Sequence, residues 1–354
     1  MRLIQFLDEQ SSPALGVVVD QQVCHVTGLD SKLDSVGAAF QAARRAGQRV
    51  APFLQKLLQQ APASAYQSYP ALCSSGRLLP PVSEAPGRRV LVTGTGLTHL
   101  GSAQQRDAMH ATQAGTDAPP PQKSGSTAAP EPKSDSKRMF EWGVVGGKPA
   151  AGQRGAAPEW FYKGDGRKLR TLGDPLEIPE FAPDGGEEPE LAGVYIIDDA
   201  GIPFRLGFVQ GNEWSDHVTE NLNYLYLAPS KLRTCSIGPE LVTDLAFDDI
   251  SLRCRVLRDG VPLYDSGELR SGEKNMCHSL ANLEDHHFKF PHHRQPGDIH
   301  VHFFGTSKLS YPGRAWKYQT GDVVEVSAEG LGVPLRNPVL RKPCSDAPVS
   351  VERA

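Results

Sequence analysis

The stretch Asp184–Pro239 reads DGGEEPELAGVYIIDDAGIPFRLGFVQGNEWSDHVTENLNYLYLAPSKLRTCSIGP. A glycine turn delivers Glu187, Glu188 and Glu190 into the apolar run Leu191–Ile197. Charge at the mouth of a buried strand is costly unless something neutralises it. On extended backbone Glu188 and Glu190, two positions apart, share a face. Two carboxylates side by side repel unless a proton or cation lies between them. Glu213 and Asp216 follow one hairpin later, and Lys231 comes next, before a Gly-Pro corner. Two readings fit: a solvated acidic turn, or a site for a hard divalent cation with Glu213 or Asp216 as third ligand. Mg²⁺ suits the second, because it takes few carboxylates and keeps waters that a substrate oxygen displaces.

The rest of the chain has room for such a site. At 354 residues it is long enough for two domains, or for one large domain and a small partner. Its net charge is −4, and its paired arginines (Arg44 with Arg45, Arg88 with Arg89) are isolated, which argues against nucleic acid as a partner. No apolar run reaches membrane-spanning length. The N-terminus, MRLIQFLDEQ, meets acidic residues too early for a secretory signal. The six cysteines form no CxxC pair, so reduced thiols and a cytoplasmic setting are expected.

Taken in order, residues 1–25 predict a hairpin and 33–60 predict helices by apolar spacing. The Pro-rich passage 79–86 reads as a linker, closing a small α+β domain at 1–86 before a larger domain at 87–345. Residues 89–99 predict a strand ending at His99, and Ser102–Gln113 a helix. Residues 114–137 are rich in Pro, Ser, Gly and Lys and predict a flexible insertion, with a lid over the site as the sharper reading. Beyond Pro239 alternation dominates. Residues 252–259 run into the hairpin signal Asp259–Gly260, and 297–306 and 321–332 alternate again. Many strands with few long helices predict an α+β, β-rich roll or barrel rather than a doubly wound sheet.

Other candidates are weighed against bland readings. Lys163 and Lys231 lie beside aromatic or apolar residues and suit carboxylate binding or, with depressed pKa, base chemistry; a surface lysine is the plain alternative. His300 and His302 share a strand face and suggest a zinc site, whereas the HisHis pairs at 286–287 and 292–293 read as surface loop. GlyThrGly at 94–96 lacks the third glycine of a dinucleotide fold. There is no GxSxG elbow, P-loop or HExxH, and the adjacent Cys277 and His278 do not by adjacency make a catalytic pair.

Taken together, these segments resemble the fumarylacetoacetate hydrolase superfamily over roughly 70–342. GRLLPP (76–81) resembles its segment before the catalytic domain, and FYKG (161–164) its Phe-x-Lys-Pro. EPE (188–190) matches its metal pair, and GFVQGNEWSDH (207–217) its Gly-Tyr-x-x-x-Asn-Asp-Val-Ser-Ala-Arg turn. APSKL (228–232) is similar to its lysine segment, with IGP (237–239) following. FFGTS (303–307) is similar to its Thr-Gly-Thr-Pro loop. GDVVEVSAEGLG (321–332) with RNP (336–338) matches its C-terminal signature.

The resemblance implies a β-roll catalytic domain, a homodimer, and Mg²⁺ (with Mn²⁺ or Ca²⁺ as substitutes) held by Glu188, Glu190 and Glu213. Glu213 stands where the family has aspartate, and Asp216 is the fallback. His217 stands where the family has arginine. The family's His-Glu dyad is not plainly reproduced, and His99 is the nearest counterpart for proton transfer. The GEEPE and GNExSDH forms resemble the sugar-acid branch, similar to 2-keto-3-deoxy-pentonate dehydratases. That branch implies a 2-keto acid bound to the metal through its carboxylate and keto oxygens. Loss of the C3 proton to an enolate, then of the C4 hydroxyl as water, would give 2-oxoglutarate semialdehyde. Lys163 and Lys231 are the expected groups for substrate carboxylate and proton transfer, with Ser215, Gly305 and Thr306 as further substrate contacts. The alternative is a hydrolase cleaving the C–C bond of a 2,4-diketo acid to pyruvate and a short acid.

Overall fold

The computed structural model describes residues 1–85, 88–101, 134–345 and 347–354. The helix expected at 102–113 and most of the insertion expected at 114–137 lie outside the described residues. The insertion's last residues are helical: a helix spans Asp135–Gly146, and Ser134 caps it by accepting from the Lys137 N–H. Polar composition suggested a loop there, but a serine before Asp135 is also a helix start.

The hairpin from the acidic stretch is the centre of a 13-stranded sheet. Its first strand, Pro189–Ile197, is buried along its whole length. Both edges of that strand are paired. Pro203–Asn212 runs antiparallel on one side, from Pro189 opposite Asn212 to Ile197 opposite Pro203. Ile299–Phe303 runs antiparallel on the other. A strand covered on both faces and paired on both edges reads as continuous apolar sequence, which is what Leu191–Ile197 is. Beyond Ile299–Phe303 lie Val90–Gly96, parallel to it, and Glu159–Asp165.

The N-terminal strands extend the same sheet. Arg2–Leu7 pairs with Leu241–Val242, which pairs with Phe208. Pro13–Val19 and Gln22–His25 continue outward as the expected hairpin. Leu3, Val17 and Phe40 share one apolar cluster with Val92, Val194 and Val301. The Pro-rich passage is stitched in as well: Leu78 and Leu79 pair with Phe6 and Gln5, and Val82 is buried.

A second, six-stranded sheet is built on Ile250–Arg258. Its hairpin to Val261–Asp265 turns at Asp259 and Gly260, with φ of 51° and 78°. Positive φ at both central positions is the turn that matches strand twist, and Asp-Gly is the pair that tolerates it. Leu269–Ser271 also pairs with Ile250–Leu252, and Val323–Ala328, Leu335–Arg341 and Leu176–Ile178 extend the layer on the other edge. Neither sheet closes on itself among the described residues, so the β-rich α+β expectation holds as an open roll, not a closed barrel. All six cysteines are free. No helix among the described residues is long and apolar enough to cross a membrane.

Candidate active site

The register of the central hairpin assembles the site. Glu190 lies opposite Gly211, and the Glu213 N–H donates to the Glu188 carbonyl at 2.9 Å. The Glu188 N–H donates to Asn212 Oδ1 at 3.0 Å, and Gly186 bridges Ser215. The chain therefore leaves the strand pair with both acidic segments at one end. Glu188, Glu190 and Glu213 are all buried, and each places an oxygen within 4.8 Å of the others. The same-face expectation for Glu188 and Glu190 is met, and the solvated-turn reading is not.

Two buried lysines enter from other elements. Lys163, on the Glu159–Asp165 strand, sits 2.5 Å from Glu213 Oε1 and donates to the Trp214 carbonyl at 2.5 Å. Lys231 ends the short helix Leu227–Lys231. Its Nζ donates to Glu188 Oε1 at 2.7 Å, Glu213 Oε2 at 2.8 Å and Ser215 Oγ at 2.9 Å, and lies 4.8 Å over the Phe161 ring. His217 Nε2 meets Glu188 Oε1 at 2.8 Å. On the far wall the Gly305 N–H donates to Glu190 Oε2 at 2.7 Å. Gly305 has φ of 93°, and a Cβ there would stand 2.2 Å from Thr98 Oγ1. Only glycine lets this loop approach the carboxylate. Thr306, its neighbour, turns its hydroxyl to the Lys308 carbonyl at 3.0 Å.

Electrostatics divide the three carboxylates. Burial works against ionisation at each. At Glu190 burial, then the charges of Glu213 and Glu188, hold the pKa well above the usual carboxylate range. At Glu213 burial and the Glu188 charge outweigh Lys163 and Lys231 and push it up to about 7. At Glu188 burial is again the largest single influence, but Lys231 and His217 together hold it well below its usual value. Lys231 loses to burial and gains more from Glu188 and Glu213, so it stays firmly charged.

The donor set fits a divalent cation. Glu190 Oε1 is buried without a hydrogen-bond partner. Counting Glu220, whose Oε2 is 3.8 Å from Lys231, four buried carboxylates face two ammonium groups. With all four ionised, a dication cancels the two charges left over. A second triad, Glu188 with His217 and Glu220, shares one ligand with the first. The all-oxygen triad suits Mg²⁺, whereas an imidazole suits softer metals.

Four sequence candidates stand elsewhere. Asp216 caps the helix His217–Leu222 by accepting from Thr219, and pairs with Arg233 at 2.9 Å, so its charge is already spent. His99 lies behind the Gly305 loop, with Nδ1 3.0 Å from Thr98 Oγ1 and Nε2 3.2 Å from Ser271 Oγ. Burial lowers its pKa to about 4. His300 and His302 do share a face, but no three-ligand group among the described residues includes either. The surface reading of the HisHis pairs holds for His292, which is exposed, and fails for His286, His287 and His293, which are buried.

Sequence reasoning did not separate Asp184 and Glu187 from the ligands. Glu187 accepts from the Ser310 N–H at 2.5 Å, Ser310 Oγ at 3.0 Å and Tyr318 Oη at 2.6 Å. Asp184 holds Arg314 at 2.8 Å and Arg341 at 2.6 Å. These acids tie the loop after Gly305 to the turn that carries Glu188. Their partners lie more than a hundred residues downstream, and no local signal marks them.

No protein-family model matches the chain, and no curated protein does. Solved structures match over nearly its full length. A 2-keto-3-deoxy-D-arabinonate dehydratase, complexed with magnesium and 2,5-dioxopentanoate, superposes with a TM-score of 0.65 at 17% identity, covering 97% of this chain and 100% of that one. A fumarylacetoacetate hydrolase from the psychrophilic Exiguobacterium antarcticum gives 0.56 at 18% identity, covering 97% and 100%. A 2-hydroxyhepta-2,4-diene-1,7-dioate isomerase from Mycobacterium marinum gives 0.52 at 17%, covering 97% and 99%. The chain has the fold of the fumarylacetoacetate hydrolase superfamily.

Proposed function

We propose that this chain is a Mg²⁺-dependent hydro-lyase that dehydrates a 2-keto-3-deoxy sugar acid, a pentonate, to 2-oxoglutarate semialdehyde. The observation that carries this reading is the buried constellation of Glu188, Glu190 and Glu213 with Lys163 and Lys231. Similarity in fold to a dehydratase complexed with magnesium and 2,5-dioxopentanoate supports it.

Glu188, Glu190 and Glu213 would hold the cation, which when bound supplies Lewis acidity toward the oxygens of a 2-keto acid. Lys231, kept charged by two carboxylates, is assigned to charge balance and the substrate carboxylate. Lys163, which meets one carboxylate, is assigned to taking up the C3 proton as its neutral amine and passing it to the departing C4 hydroxyl, which leaves as water. Loss of that proton and of the C4 hydroxyl removes one water. The resulting alkene then takes the C4–C5 enol form and becomes the C5 aldehyde, with no further atom lost. Both lysines and all three carboxylates are buried, which would shield a substrate's reacting carbons from bulk water.

A C–C hydrolase needs a positioned water and a base to activate it. Both ring nitrogens of His99 meet hydroxyls, those of Thr98 and Ser271, which favours dehydration. The test is to incubate the Mg²⁺-loaded enzyme with 2-keto-3-deoxy-pentonate and, separately, with a 2,4-diketo acid, and to identify products by mass. Product lighter than the pentonate by one water supports the proposal. Pyruvate and a short acid from the diketo acid, with the pentonate untouched, sinks it.

A further inference from the structure

A cavity of about 280 Å³ lies at the opposite end of the central hairpin from the carboxylates, between the helix Val36–Arg45 and the start of the strand Pro203–Asn212. Its walls carry Phe40, Arg44, Arg49, Phe204, Arg205 and Thr243. Three guanidinium groups around one small cavity repel each other unless anions lie among them. Nearby acids compensate in part. Arg44 reaches Asp198 at 3.2 Å, Arg205 pairs with Glu284, and Arg49 approaches Asp244 only to 3.8 Å. The Met1 ammonium takes that same Asp244 at 2.8 Å, so four cations share three carboxylates. Each guanidinium has five N–H donors in a rigid fork, and these contacts use few of them.

The cavity also has an apolar side. Phe40 and Phe204 pack with ring centroids 5.5 Å apart, and the Arg44 guanidinium lies 4.4 Å from the Phe204 ring centroid. Val50 and Ala51 line it too, at the start of the helix Val50–Leu58, whose N-cap Arg49 makes no side-chain cap. The positive end of that helix adds to the arginine field. A second cavity of about 390 Å³ adjoins it, sharing Arg49, Arg205 and Thr243.

We infer that this cavity binds a compact organic dianion, with its anionic groups on Arg44, Arg49 and Arg205 and its carbon body against Phe40 and Phe204. A dicarboxylate and a small phosphate ester share that chemistry. The inference is independent of the reaction proposed above.

The test is titration calorimetry on the full chain in chelator, with 2-oxoglutarate, 3-phosphoglycerate and inorganic phosphate as separate probes. Either organic probe should bind with Kd near or below about 1 mM, and Arg44→Gln and Arg49→Glu should each weaken it about tenfold or more. Arg49 is 82% exposed, so its variant tests binding without threatening the fold. The probe preferred tells carboxylate from phosphate recognition. A Lys231→Ala variant should bind as the parent does. No heat with any probe overturns the inference. So does a Kd unchanged in both arginine variants, or binding lost in Lys231→Ala, which would place the ligand among the carboxylates.

Discussion

The Gly305 N–H donates to Glu190 Oε2 at 2.7 Å, a contact by which a loop 115 residues downstream touches the central hairpin. Glu190 is the carboxylate with an unpartnered oxygen, so this bond fixes the direction in which that oxygen points. Gly305→Ala strains the backbone at φ of 93° and drives a Cβ onto Thr98 Oγ1. Such strain costs about 1–3 kcal/mol. The urea midpoint should fall, and Mg²⁺ affinity by calorimetry should fall with it. Ser307→Ala, two residues on, is the control and should do neither. A Gly305→Ala variant with parental metal affinity would show that the loop does not orient Glu190.

Glu188→Gln and Glu190→Gln should each abolish Mg²⁺-dependent turnover, by about 10³-fold or more, since a catalytic metal supplies several kcal/mol. The two should differ in metal-free stability. Glu190 is buried and held well above its usual pKa by burial and two neighbouring charges, so the metal-free fold carries it protonated, and an amide there spares the cost of that protonation. Glu188 is the partner of Lys231 and His217, and removing its charge leaves a buried ammonium short of a counter-ion. In chelator, Glu190→Gln should melt at or above the parent and Glu188→Gln below it. Full activity in either variant after chelation and Mg²⁺ add-back would overturn the ligand assignment.

Glu187 offers the contrast. Its carboxylate is wholly engaged by Ser310 and Tyr318, so it is assigned to structure. Glu187→Gln should cost about 1.5–3 kcal/mol, as expected for hydrogen bonds to a charged group. Mg²⁺ affinity should change far less than in Glu190→Gln. Equal losses of affinity in the two would put Glu187 in the metal site.

What was legible followed from short-range rules. Period-two spacing put Glu188 and Glu190 on one face, and the apolar run told that the strand was buried. Asp-Gly gave the hairpin at 259–260. What was not legible depended on partners far away in sequence. Asp184 and Glu187 are as acidic as the ligands, and only Arg314, Tyr318 and Arg341 mark them as braces. Asp216 stood in the sequence as the fallback ligand, and the fold puts Arg233 against it. The histidines looked like surface because a His-His pair in a Pro-flanked loop is usually wet. Here the helix Leu280–Phe288 lays His287 against His300 and His302.

That histidine layer sets the response to acid. Burial holds His300 and His302 down to about 3, and His99 and His278 to about 4; His287 is held well below its ordinary value by burial and by three neighbouring imidazoles. An unfolded histidine takes its proton near pH 6.5. Below that pH the unfolded chain binds protons that the folded chain refuses, so stability falls as pH drops, by about 1.4 kcal/mol per pH unit for each such group. The fall ends for each group at its folded pKa. In the metal-free protein Glu213, raised to about 7, and Glu190 act in the opposite direction, since folding favours their protonated forms. Two carboxylates against five imidazoles leave a net loss. Chelated protein should therefore show a steady drop in unfolding free energy from pH 6.5 to 5, measured by urea titration at each pH. His302→Gln, which keeps a group able to reach Thr93 Oγ1 at the 2.8 Å site, should make that slope shallower. A flat profile from pH 7 to 5, or an unchanged slope in His302→Gln, would mean that these imidazoles protonate within the fold.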